Sequence, residues 1–301
     1  MRDDQDEQED IVTITFATQV AQRSDAIGSL ICVGLDPDLG RLFPDTQPAS
    51  QAAAADAVVR FNATIIEATS PYATAFKPNL AFYLGLGPDG IRALLETRAL
   101  IPSEIPVILD AKANDMGNTA ERYADAYLDR WGFDAVTVNP YLGEEGLAPF
   151  LHRVGKGVIV LAKTSNVGSV DFQDLTLETS GLPLSDQVAL RAAEWEADYP
   201  ADVGLVVGAT FPDHLQRIRR LAPSLLILLP GVGAQGGDIA ASVRAGSDRG
   251  GRLLISASRS VLYGGTGAEI AAGASTAARA LRDEVNRSRM VPSVGTMQTD
   301  L

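Results

Sequence analysis

Cysteine is almost missing from this 301-residue chain. Cys32 is the only one, so no disulfide can form within it, and a reducing compartment such as the cytoplasm fits. Histidine is nearly as scarce. His152 and His214 both lie in helical, arginine-containing stretches away from strand ends, and both read as surface residues. No Cys/His cluster suggests zinc. Long apolar runs are lacking too: the longest, such as 225–229, are strand-sized, well short of the roughly 18 residues of a membrane helix. Nor does a GxSxG elbow, a Walker loop or a dinucleotide GxGxxG follow the first apolar strand, so nothing asks for a metal, a nicotinamide or any other cofactor. The start, MRDDQDEQED, lacks the basic and apolar stretches of a secretory signal. Residues 1–11 read as a disordered acidic leader, and 289–301 as a polar tail.

Positive charge is in deficit. The net charge is −13, so the chain repels nucleic-acid backbones overall, and an anionic ligand must be held by a few placed cations and backbone amides. Only four lysines stand against 21 arginines: Lys77, Lys112, Lys156 and Lys163. A GC-rich genome or a salt-tolerant host that replaces lysine with arginine would account for the ratio. The survivors still merit inspection, because arginine cannot act as a general acid near neutral pH.

What is present is a rhythm. Apolar, β-branched runs recur at 30–33, 73–76, 107–109, 135–138, 158–161, 204–207, 225–229 and 253–256, the signature of strands buried on both faces. Helical spacing lies between them, at 56–68, 119–129, 185–197, 212–221 and 267–285. Eight such units predict a single-domain (β/α)8 barrel over 12–288; alternation alone also permits an open doubly wound sheet. A helix at 16–23 precedes the first strand and could plug the barrel's bottom. The long connection 167–183 is either a lid or binding segment, or a solvated insertion.

Barrel chemistry sits at the C-terminal ends of the strands. Asp36 follows strand one and stands at the mouth, or merely caps a turn before Pro37. Lys77 directly follows an apolar strand and needs an anionic neighbour. Strand three supplies it: Asp110 and Lys112 are two apart, hence on one side of an extended strand, and Asp115 follows. Two ammonium and two carboxylate groups at one mouth read as function rather than structural ion pairs, which stabilise poorly. Thr164-Ser165-Asn166 after strand five suits a planar, hydrogen-bonding ligand or, equally, a capped polar loop. Loops seven and eight, with Gln235, Gly236 and Arg259, offer the small residues, amide and forked cation of a phosphate site.

These segments together resemble the orotidine 5′-phosphate decarboxylase family, in its longer bacterial-type branch. They are Gly34-Leu35-Asp36-Pro37, Phe76-Lys77-Pro78-Asn79, 110–119, Thr164-Ser165-Asn166, 230–237 and Ser258-Arg259-Ser260. The Asp-x-Lys-x-x-Asp core is shared with sister sugar-phosphate barrels; the full set is more specific. The resemblance implies cofactor-free conversion of orotidine 5′-monophosphate (OMP) to uridine 5′-monophosphate (UMP), the last step of de novo pyrimidine nucleotide synthesis. Lys112 looks like the lysine that protonates C6, Asp110 like the carboxylate facing the substrate's, and Lys77 like the link from Asp110 to the ribose. Asp36 would bind ribose hydroxyls, Ser165 the pyrimidine, and Gln235, Gly236 and Arg259 the phosphate. Asp115 and Thr119 correspond to residues that enter a neighbouring subunit's site, implying a homodimer in the cytoplasm, with neither nucleic acid nor membrane as partner. One departure stands out: Ala113-Asn114 replaces the branch's usual Arg-Gly. Two other readings stay open, a metal-dependent aldolase or keto-acid decarboxylase of the sister barrels and a catalytically silent nucleotide binder.

Overall fold

Residues apolar on both sides must be covered on both sides, and the eight runs meet that demand by forming one eight-stranded parallel sheet. The computed structural model describes residues 14–232, 238–247 and 252–290. The expected leader, Gln235, Gly236 and the tail beyond residue 290 lie outside the described residues. The strands are β1 (Ile31–Gly34), β2 (Ala73–Lys77), β3 (Ile108–Leu109), β4 (Ala135–Val138), β5 (Gly157–Lys163), β6 (Asp202–Val207), β7 (Leu226–Leu229) and β8 (Leu253–Ala257). Around them run α1 (Phe16–Ile27), α2 (Leu39–Leu42), α3 (Gln51–Thr69), α4 (Leu80–Leu84), α5 (Gly87–Leu100), α6 (Gly117–Ala124), α7 (Gly143–Leu151), α8 (Leu184–Asp198), α9 (Pro212–Leu221), α10 (Ile239–Gly246), α11 (Arg259–Leu262) and α12 (Ile270–Met290). The last of these extends two residues into the expected tail. No helix among the described residues is long and apolar enough to cross a membrane.

The first and last strands pair, Ile31 beside Ile255. The remaining edges, β2 and β3, are joined by two bridges, Phe76–Val107 and Asn79–Asp110, so the barrel closes. Side chains then divide by the two-residue period. Cys32, Ala75, Ile108, Ala135, Ile159, Val206, Leu226 and Leu254 fill the interior. Their alternates, such as Ile31, Val33, Phe76, Leu109, Val136 and Val158, pack outward against the helices.

The plug helix is present and longer than the spacing predicts, ending at Gly28 in the left-handed region (φ 58°). Phe16 and Val20 of α1 join the interior cluster at its lower end. The Ala17 N–H donates to Asp202 Oδ2 at 2.6 Å, and a Cβ at Gly157 would lie 2.3 Å from the Phe16 ring, so β5 begins with glycine. The helix expected at 119–129 starts two residues earlier as α6 and continues as a π-helical turn, Asp125–Arg130. The connection 167–183 is structured: a 3-10 turn, Val167–Asp171, then a bridge between Thr176 and Pro183.

Candidate active site

β2 and β3 deliver the charged residues to the barrel mouth. Lys77 is the last residue of β2 and Asp110 directly follows β3; both are buried. Lys77 Nζ donates to Asp110 Oδ2 at 2.7 Å. Lys112 Nζ donates to the other oxygen, Oδ1, which also accepts the Thr137 hydroxyl from β4 at 2.9 Å. Asp110 is thus held by three donors. Its own burial would raise its pKa, but Lys77 and Lys112 overcome this and hold the carboxyl well below the usual carboxylate range. Burial likewise opposes charge on Lys77, yet Asp110 and then Asp36 raise its pKa above the ordinary lysine value.

Lys112 reaches Asp110 by a route other than the expected one. β3 is two residues long and ends at Leu109, so Asp110 and Lys112 do not lie on a regular strand. The chain turns at Lys112 instead, with φ 52°, the only described non-glycine residue in the left-handed region. Such a conformation costs on the order of 1–3 kcal/mol and persists only where surroundings impose it. Here the Lys112 N–H is held by Thr137 O at 2.9 Å and Thr137 Oγ1 at 3.1 Å. Asn114, in the departure from the family pattern, fixes the next turn: its Nδ2 donates to Gly146 O at 3.2 Å, and its Oδ1 accepts the Asn139 N–H at 3.1 Å.

Above this trio opens a cavity of about 650 Å³, lined by Asp36, Lys77, Asp110, Lys112, Thr164-Ser165-Asn166, residues 230–232 and residues 256–260, among others. That volume suits a ligand of nucleotide size. Asp36 Oδ1 accepts the Asn79 N–H at 3.1 Å, tying the β1 and β2 loops; the adjacent helix α2 is capped by Asp38. Asp36 therefore lines the mouth rather than capping a helix. Ser165 is packed from behind: a Cβ on Gly208, after β6, would fall 2.8 Å from its backbone. Arg259 opens α11, and the neighbouring Ser258 hydroxyl oxygen is buried without a hydrogen-bond partner among the described residues. Arg259, Ser258 and the β7 loop can receive an anion together. Cys32 lies within the barrel, where burial pushes its thiol up to about 12 and keeps it protonated.

Asp115, Thr119 and the two histidines lie elsewhere. Asp115 does not join the other three charged groups in this chain: it does not line the cavity, and its Oδ1 accepts the Met116 N–H at 2.7 Å. Thr119, exposed on α6, is also outside the cavity. A single barrel thus gathers two ammonium groups about the one carboxylate of Asp110. His214 is half-buried on α9, 3.6 Å from Asp174 and 3.2 Å from Arg217. Burial is the main cause of its lowered pKa. His152 is exposed, with its ring edge on Tyr199. Thr137, which holds Asp110, and Ser256, which lines the cavity, add to the site without a motif of their own. Each is a polar residue in an otherwise apolar buried strand, which is the signal that could have found them.

This arrangement has counterparts. The family model described as orotidine 5′-phosphate decarboxylase / HUMPS family matches residues 29–273. The orotidine 5′-phosphate decarboxylase of Thermomicrobium roseum is 47% identical over 277 residues, covering 92% of this chain and 96% of that protein. The Halobacterium salinarum protein of the same name is 49% identical over 278 residues, covering 92% of this chain and the whole of that protein. Among solved structures, the OMP decarboxylase of Leishmania donovani superposes with a TM-score of 0.77 at 36% identity, covering 93% of this chain and all of that one. A matched barrel, a family model spanning residues 29–273 and sequence identity approaching one residue in two along nearly the full length lead to one assignment: this chain belongs to the orotidine 5′-phosphate decarboxylase / HUMPS family.

Proposed function

We propose that the chain converts OMP to UMP and carbon dioxide without a cofactor, with Lys112 as the proton donor. The observation that carries this reading is the Lys77–Asp110–Lys112 trio at the floor of the 650 Å³ cavity. The bond between C6 and the carboxylate carbon breaks and carbon dioxide departs. The electron pair remains on C6, where the ring offers little resonance relief. An ammonium group fixed beside that carbon stabilises the charge as it develops, then transfers a proton to it. Lys112 meets this need, and with its side chain 42% exposed it can regain a proton from water. Asp110, pinned as a carboxylate, faces the substrate's own carboxylate and disfavours it. Lys77 neutralises the far side of Asp110 and reaches toward the ribose, which Asp36 also binds. Ser165 reads the pyrimidine. Arg259 grips the phosphate, together with Gln235 and Gly236, which lie outside the described residues; this remote binding energy is available to the transition state.

The active unit in this reading is a cytoplasmic homodimer in which Asp115 and Thr119 of each chain complete the other's site. Exposed apolar residues flank them: Met116, 52% exposed, and Tyr141, 86% exposed, stand on adjoining loops. Purified protein mixed with OMP and EDTA should show the ultraviolet absorbance change of decarboxylation. Lys112→Ala should lower turnover on the order of a thousandfold while still binding UMP. Turnover abolished by the chelator would favour the metal-dependent sister reaction, UMP binding without turnover would favour a silent binder, and near-normal turnover in Lys112→Ala would remove the proposed donor.

A further inference from the structure

Lys163 is the one lysine fully buried, yet it does not line the cavity. Alternation along β5 places Ile159 and Leu161 inward, so Lys163 is due to point inward as well. The pairing of β5 with β6 slips between Leu161 and Lys163, a bulge that sets Lys163 beside Val207 of the outer layer. Bulges commonly re-aim a side chain next to a functional site. The redirected Nζ pairs with Asp174 of the 167–183 connection at 2.7 Å and sits 4.5 Å over the centre of the Phe211 ring. The adjacent residue in each segment, Thr164 after Lys163 and Gln173 before Asp174, adds a second contact. The Thr164 N–H donates to Gln173 Oε1 and Gln173 Nε2 donates to Thr164 Oγ1, both at 2.8 Å. A buried ion pair is a poor stabiliser relative to apolar packing, so its presence calls for a geometric reason. That reason lies one residue further along: Thr164, Ser165 and Asn166 form the cavity wall.

We propose that Lys163, Asp174 and Gln173 are positioning residues that latch the connection onto the end of β5 and so fix Ser165 for base recognition. The inference rests on the function proposed above, in which that wall meets the pyrimidine. None of the three touches the ligand; they act through the backbone of the wall. Base-dependent binding therefore depends on the latch, whereas ribose phosphate binding, at the opposite lip, does not.

The test compares UMP with ribose 5-phosphate on the full chain by calorimetry, alongside steady-state turnover of OMP. Lys163→Met, Asp174→Asn and Gln173→Ala should each weaken UMP about tenfold or more and raise KM for OMP. Ribose 5-phosphate affinity should stay within about twofold, and Lys163→Arg should recover part of the loss. Should Lys163→Met fail to fold, Asp174→Asn and Gln173→Ala carry the same comparison. Unchanged UMP affinity in the folded variants, or equal weakening of both ligands, overturns the latch. A wild-type protein that binds UMP but does not turn over OMP overturns the function instead, and leaves the comparison of the two ligands readable.

Discussion

Asp110 shows how one residue's chemistry is set by its surroundings. Three donors hold it, and two of them carry positive charge. Its folded pKa lies below the unfolded value of about 3.9, so its stabilising contribution is present above about pH 4 and is lost as pH falls through the folded value. For Lys77 the folded pKa lies above the unfolded value of about 10.4, so its contribution is complete below that and is lost as pH rises through the folded value. Between these limits the pair contributes a constant term. Asp110→Asn leaves Lys77 buried and unpaired, which should destabilise the fold by about 3–5 kcal/mol near neutral pH and remove this part of the acid dependence. Denaturant titrations of wild type and variant across the acid range check both points. The i, i+2 spacing correctly put Asp110 and Lys112 together. It did so for an incomplete reason, since the meeting depends on a left-handed turn at Lys112 that Thr137, 25 residues away, holds in place.

At the scale of elements, α1 is the clearest case of a short amphipathic segment with a defined task. Phe16 is 1% exposed and closes the barrel floor against Gly157. Phe16→Ala should cost about 3–5 kcal/mol, read as a shifted denaturation midpoint, with Lys112 chemistry at the opposite end little changed. A loss below about 1 kcal/mol would mean that the plug is not tightly packed. Strands were easier to read than helices for a physical reason: strands buried on both sides carry continuous apolar runs, whereas several helices carry residues that look like breaks. In α5, Gly90 reads as a breaker, yet its missing side chain admits the backbone of Tyr83, which a Cβ would meet at 1.8 Å. In α7, Pro149 sits inside the helix, and Gly143 precedes most of it with φ 71°. His214 sits on the polar outer face of α9, and Asp174 of the 167–183 connection partly covers it there.

For the whole molecule, closure and assembly are the two matters that no short segment reveals. Closure needs both the pairing of Ile31 with Ile255, more than two hundred residues apart in sequence, and the bridges that join β2 to β3. The proposed assembly rests on what one barrel leaves unused: Asp115 and Thr119 outside their own cavity, with Met116 and Tyr141 exposed beside them. In the proposed dimer, Tyr141→Glu should preserve the fold, since the residue is 86% exposed, while halving the mass seen by sedimentation and removing most turnover. A variant that remains dimeric, or a monomer with full turnover, would contradict the shared site. The net charge of −13 adds a direction: self-repulsion is screened by salt, so the dimer should tighten as ionic strength rises from low values.

The sequence alone determined the strand count, the placement of Asp36, Lys77, Asp110 and Arg259 at strand ends, and the family likeness. These follow from local periodicity and short motifs, which a chain carries wherever it folds. Tertiary structure alone decided that Lys112 turns left-handed over Thr137, that a bulge swings Lys163 away from the cavity toward Asp174, and that Asp115 leaves its own chain's charged trio. Each depends on contacts between segments far apart in the chain, where burial and the demand for a partner override the direction that alternation would assign.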